Sequence, residues 1–338
     1  LVSAGNVRRQ NEDSMKNIFK LFLSGFALSV FFFGCSKKNL AEDKLNVVAT
    51  IFPVYDWVKN VAGDVSGVNL ELLVKNGVDL HSFQPSAADI IKISTADVLV
   101  FVGGESDFWV NDVLKNPANK NLSVINLMDL LEDSVKEEEF IEGMTAGEEH
   151  HSEEMESDEP EEEIEYDEHI WLSVENAKIS VQKIAEILSE KNPENAEIYG
   201  KNRDSYEKKL GELKNFYSPK NAGNGTIIVC DRFPFRYMTD ELGINYFAAF
   251  VGCSAETEAS FETVAFLSKK VQEFGCHKVF VTENSDKKIA RTVIKNAGFS
   301  GECKIETLDS MQSVTFEQAK SGKNFIDTMK ENYIKLSE

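Results

Sequence analysis

The sequence predicts an α/β protein of two lobes, each with a mainly parallel sheet flanked by helices, joined by one long backbone helix. Three observations carry that expectation. Short β-branched apolar runs alternate with helical patterns, the signature of parallel sheets with helical crossovers. The alternation occurs twice, before and after a central helical region. That region holds Tyr199, Tyr206, Leu210, Leu213 and Tyr217 at helical spacing. A stripe of roughly 24 residues spans about 36 Å at 1.5 Å per residue, enough to cross a whole domain.

Taken in order, residues 1–14 carry no apolar pattern and are set apart as upstream sequence. Residues 15–35 begin at Met15, with Lys16 and Lys20 before an apolar run from Leu21 to Phe33 that closes on Gly34 and Cys35. This resembles a bacterial lipoprotein signal, cleaved before Cys35 and lipidated there; the plainer alternative is a short membrane anchor. Residues 36–44, "SKKNLAEDK", read as a polar tether.

The N-terminal α/β lobe is assigned to residues 45–131. "LNVVAT" (45–50), "VNLELLV" (68–74) and "VLVFV" (98–102) read as strands, with helices from about Pro53 to Ala62 and over 86–96. Residues 132–168 form an acidic, His-containing loop. The net charge of -21 is concentrated there, where Lys136 is the only Lys or Arg. Within it the self-repelling stretch from Glu148 to about Glu165 is expected to be mobile, and "DEHIW" (167–171) ordered. Residues 169–220 hold helices including the linking helix, with Ser173 as N-cap and Pro193 at a first helical position. "NAGNG" (221–225) ends them. The C-terminal α/β lobe is assigned to 221–338, with strands at 226–230, 245–250, 278–282 and 303–308.

With 338 residues, 42% of them hydrophobic, the chain has ample core for one or two domains. An acidic chain without a basic face is not a nucleic-acid binder. Cys230, Cys253, Cys276 and Cys303 show no CxxC or zinc-finger spacing. In an exported protein they could form disulfides in any of three pairings, or stay as buried thiols.

Polar residues stand just past the strands, where open α/β sheets bind ligands. His81 follows the second strand, Asp231 the strand at 226–230, and Glu283 the strand at 278–282. His169 ends the acidic segment. Two imidazoles and two carboxylates suit Zn²⁺, or Mn²⁺ if the geometry expands. A ligand set without an open position suits capture more than catalysis. Each residue alone has a plainer role: Asp231 and Glu283 could cap helices.

"GVDLHSFQPSAADIIKISTADVLVFVGG", "DEHIWLSVENAKISVQKIAEILSEKNPENAEIYGKN" and "VFVTENS" together resemble the metal-binding lipoproteins of zinc and manganese ABC importers, from about Leu45 to the C-terminus. The resemblance implies an exported, lipid-anchored, monomeric receptor at the cell membrane or in the periplasm. It would bind Zn²⁺, with Mn²⁺ as the alternative, and deliver it to a permease and its ATPase. His81 and His169 match the family's first two ligands, and Glu283 its carboxylate ligand. The third histidine of the family is missing: "CDRFPFRYMTDELGI" puts Asp231 there, with Glu256 and Glu258 in reserve. His150 and His151 occupy the place of an auxiliary ion-collecting loop. A zinc-dependent hydrolase would need a signature such as HExxH, which is lacking, and a surface adhesin would need a dedicated binding region. No enzymatic activity is expected.

Overall fold

The computed structural model describes residues 44–337 apart from 65–66, 146–164, 217–224, 255–257 and 276. Cys35, His150, His151, Glu256 and Cys276 lie outside the described residues.

The first sheet contains β1 (Leu45–Ala49), β2 (Val68–Leu72), β3 (Val98–Phe101) and β4 (Ser123–Asn126), all parallel, in the order β2-β1-β3-β4. β3 is buried at every position, as a central strand covered on both faces should be. Edge strand β4 buries only Ile125.

Four helices belong to this half: α1 (Phe52–Ala62), α2 (Ala87–Thr95), α3 (Val110–Leu114) and α4 (Leu127–Leu130). Pro53 opens α1 and Gly63, at φ 62°, closes it. Ser86 and Asp89 form a reciprocal capping box on α2.

Two long helices follow. In α5 (Val174–Lys191) the Ser173 hydroxyl accepts from the Asn176 N–H, so the expected cap is present. A 3-10 turn at Pro193–Asn195 leads into α6 (Ala196–Phe216), whose 21 residues span roughly 31 Å. It buries Tyr199, Tyr206, Leu210 and Leu213 of the stripe read from the sequence, whose last residue, Tyr217, lies outside the described residues.

The second sheet is built the same way: β5 (Thr226–Arg232), β6 (Asn245–Phe250), β7 (Lys278–Val281) and β8 (Lys304–Thr307), parallel, ordered β6-β5-β7-β8. Its helices are α7 (Arg236–Leu242), α8 (Phe261–Phe274), α9 (Lys288–Asn296), α10 (Phe316–Lys320) and α11 (Phe325–Ser337). β5 runs two residues beyond the expected end at Cys230. The pairing with β6 shifts register between Val229 and Arg232, which lets Asp231 and Arg232 stay in the strand.

Among the described residues, three apolar clusters hold the structure together. One fills the outer face of each sheet, around Phe101 and Val110 in the first and Leu267 and Val293 in the second. The third is shared: Trp57, Trp171, Tyr199, Phe235 and Phe325 belong to one continuous core beneath both sheets. Asp56, buried on α1, stitches this layer together by accepting from Tyr206 Oη on α6 at 3.2 Å and the Phe325 N–H on α11 at 3.1 Å.

The flanks of the acidic segment, assigned to a flexible loop from Glu132 on, are built into the structure. Glu137 bridges to Tyr166, and the Asp167 N–H donates to the Lys136 carbonyl at 2.8 Å. Val135, Ile141 and Met144 supply the reason, because each packs on the shared core. No helix among the described residues is long and apolar enough to cross a membrane.

Candidate metal centre

His81 is placed by a capped turn. The Asp79 carboxylate accepts from the His81 N–H at 3.1 Å, starting a 3-10 turn at Leu80–Ser82, and fully buried Leu80 anchors it. His169 is placed by a second turn of the same kind. It precedes the 3-10 turn Ile170–Leu172, whose three residues are all buried, and Trp171 Nε1 donates to the Ser310 carbonyl at 2.9 Å. Both turns come from short sequences in which a carboxylate two residues ahead folds back on the histidine's own N–H. For His169 that carboxylate is Asp167, at 2.9 Å.

These turns bring the two Nε2 atoms to 3.3 Å. Their Nδ1 atoms point outward to fixed partners: His81 Nδ1 lies 2.5 Å from Ser106 Oγ, and His169 Nδ1 lies 2.7 Å from Asp167 Oδ1. With each Nδ1–H donating to its oxygen, both Nε2 lone pairs face the same point. Burial, and then the neighbouring His169, push the His81 pKa down to about 3, so its ring is neutral. For His169 burial acts downward too. The Asp167 carboxylate, by charge and hydrogen bond, with help from Glu168 and Glu138, outweighs it and raises the pKa.

Glu168 closes the back of the site. Its Oε1 accepts from the Ser106 N–H at 2.8 Å, while Oε2 is buried with no hydrogen-bond partner, 4.0 Å from His81 Nδ1. Asp107 sits behind it and accepts from the Val102 and Gly103 N–H groups, both at 2.9 Å. Burial raises its pKa to about 7 against those hydrogen bonds, with the Glu168 charge adding to the rise. Gly104 leaves room for Glu168, since a Cβ there would stand 2.4 Å from its side chain.

A third potential ligand comes from a residue not singled out in the sequence. Among the described residues, His81, His169 and Cys253 bring ligand atoms within 4.8 Å of one another. Cys253 lies just beyond β6, and its N–H donates to Glu138 Oε1 at 2.8 Å. Burial, followed by the Glu138, Asp167 and Glu168 charges, pushes its thiol pKa up. Gly252 passes flat against the His169 ring, where a Cβ would meet Nδ1 and Cε1 at 3.1 Å. The placement of Cys253, past the carboxyl end of a strand, was the signal available in advance.

Asp231 and Glu283 do not join this group. Asp231 Oδ1 accepts from the Arg232 N–H at 2.9 Å, and Oδ2 is 3.4 Å from the Thr282 N–H. Glu283 accepts from the Ser310 N–H at 2.9 Å and from Ser310 Oγ at 2.8 Å; burial and the Asp309 charge raise its pKa. Glu258 is exposed. Arg232 reaches across instead, pairing with Asp79 at 2.7 Å and donating to the Ser254 carbonyl at 3.3 Å.

The chain matches the family model described as zinc-uptake complex component A, periplasmic, over residues 47–338. It is 31% identical over 323 residues to the zinc-binding protein AdcA of Streptococcus pyogenes, covering 93% of this chain but 60% of that protein. The high-affinity zinc uptake system protein ZnuA of Bacillus subtilis is 29% identical over 301 residues, 88% of each chain. Among solved structures, the Zn(II)-bound ZnuA-like domain of Streptococcus pneumoniae AdcA superposes with a TM-score of 0.65 at 28% identity, covering 87% of this chain and 98% of the domain.

Proposed function

The chain belongs to the family of periplasmic zinc-uptake components, and from that premise we propose that it is an extracytoplasmic receptor that captures Zn²⁺ between its two sheets and hands it to an ABC permease. One observation carries the reading: two buried imidazoles converge on one point with their Nε2 atoms 3.3 Å apart and each Nδ1 engaged by an oxygen. Two zinc–nitrogen bonds of 2.0–2.1 Å at a tetrahedral angle put the nitrogens about 3.3–3.4 Å apart. Nothing but a shared cation or proton gives neighbouring lone pairs a reason to meet at that distance. In this reading Cys35 carries the lipid anchor, His150 and His151 collect ions loosely, and the receptor works as a monomer. Asp231 and Glu283 stand by as carboxylates of the second lobe.

Zinc titration of the chain by competition with a chelator tests it. His81→Ala and His169→Ala are each expected to abolish tight binding. If both variants bind with unchanged stoichiometry and affinity, the proposal fails. A manganese receptor of the same build would bind Mn²⁺ as tightly as Zn²⁺ in the same titration.

A further inference from the structure

We propose that Cys253, as a thiolate, is the third ligand of this site, and that its sulfur makes the cleft selective for zinc over manganese. This deepens the receptor reading and rests on it. The geometry is the first support. A tetrahedral zinc with bonds of about 2.3 Å to sulfur and 2.0–2.1 Å to nitrogen sets sulfur roughly 3.5 Å from each nitrogen. The Cys253 Sγ already lies within 4.8 Å of a ring nitrogen of each histidine, so closure on one ion needs side-chain adjustments on the order of 1 Å.

The loop that presents the thiol is the second support. Its backbone is held at Cys253 by Glu138 and at Ser254 by Arg232. The same Arg232 guanidinium pairs with Asp79, whose carboxylate caps the turn bearing His81. One cation thus fixes the thiol loop and a histidine turn relative to each other. Arg232 has no lone pair to offer a metal. It occupies the end of β5, where a ligand was expected, and braces the residue that takes over the role.

The charge around the site is the third support. Asp167, Glu168 and Glu138 surround it, and Glu168 Oε2 is buried without a donor. Such a ring of carboxylates favours a positive charge at its centre, which a divalent ion supplies. On binding, the S–H bond breaks, sulfur donates its pair to the metal, and the proton leaves to solvent. A soft thiolate favours zinc and cobalt, whereas manganese prefers oxygen.

The test is Co²⁺ titration of the full chain, read by absorption. The wild type is expected to show a near-ultraviolet sulfur-to-cobalt charge-transfer band at one equivalent. Cys253→Ser should lose the band while still binding Co²⁺, at least about tenfold more weakly, and should narrow the preference for Zn²⁺ over Mn²⁺ by a similar factor. Cys303→Ser should leave the band intact. If Co²⁺ binding depends on His81 and His169 but the wild type has no band, or the band survives in Cys253→Ser, the inference is overturned while the receptor reading stands. Binding indifferent to both histidines overturns the receptor reading itself.

Discussion

Replacing Asp167 by Asn separates ion binding from folding. The carboxylate is 3% exposed and spends one oxygen on both the N–H and Nδ1 of His169, at 2.9 and 2.7 Å. It does two things for the ion: it fixes the tautomer that leaves Nε2 free, and its charge makes the imidazole a better donor. An amide keeps the shape but not the charge. Its NH₂ can also face Nδ1, which would drive the ring proton onto Nε2 and block the lone pair. Removing a partner of this kind costs about 10–100-fold in metal affinity, or roughly 1.4–2.7 kcal/mol. The fold loses less. The imidazole can shed its proton, so the cost is that of a neutral hydrogen bond, about 0.5–1.5 kcal/mol. Chelator competition gives the first quantity and urea denaturation of the metal-free chain the second. Zinc affinity within twofold of wild type, in a variant with wild-type circular dichroism, would refute the tautomer argument.

Gly252→Ala should weaken zinc binding about tenfold, because its Cβ would stand 3.1 Å from the His169 ring and 3.0 Å from the Phe233 carbonyl; titration checks it, with circular dichroism confirming the fold. Two buried groups pull metal-free stability in opposite directions as pH rises: His81, neutral when folded with a pKa of about 3 against 6.5 unfolded, adds stability between those values, and Asp107 removes it. The folded pKa of Asp107 is about 7 against 3.8 unfolded, so the folded state holds the extra proton and its advantage is complete below pH 3.8 and gone above about 7. The Asp107 loss is at most roughly 4 kcal/mol, and Asp107→Asn should remove it, so that in a pH series of urea melts the variant gains stability with rising pH more steeply than the wild type over that range. Trp57→Ala should cost about 3–5 kcal/mol in the same melts, since the side chain is fully buried against Phe325 with centroids 5.3 Å apart. Trp57→Phe should cost less, because the indole Nε1 has no hydrogen-bond partner to lose.

How much of this was legible depended on what each element buries. β3 is buried throughout, and its sequence is an unbroken apolar run. β4 went unread because Ser123 and Asn126 flank a strand with one buried residue, which leaves no pattern to see. The cap at Ser173 and the stripe on α6 follow local rules and could be read directly. The histidines were legible from their motifs and from their place beside strand ends and turns. Of Cys253 only its place past a strand end was legible; its nearness to the two histidines was not, because that relation joins residues on distant segments. The His81 and His169 rings alone are 88 positions apart in the chain. Asp231 shows the converse: a carboxylate at a strand end is visible in sequence, but the register shift that decides which way it faces is not.

The shared core has a mechanical consequence. Two-lobed receptors commonly signal occupancy by swinging their halves together about a thin waist. Here Trp57, Trp171, Tyr199, Phe235 and Phe325 form one slab beneath both sheets, and bending it would pull large aromatic surfaces into water. The soft coordinates are the small ones: the two histidine turns, the thiol loop, and the ion pair between Asp79 and Arg232 that spans them. Loaded and empty forms of such a protein are expected to differ by a shuffle of a few atoms at the rim, and whatever reads that difference has to read it at close range.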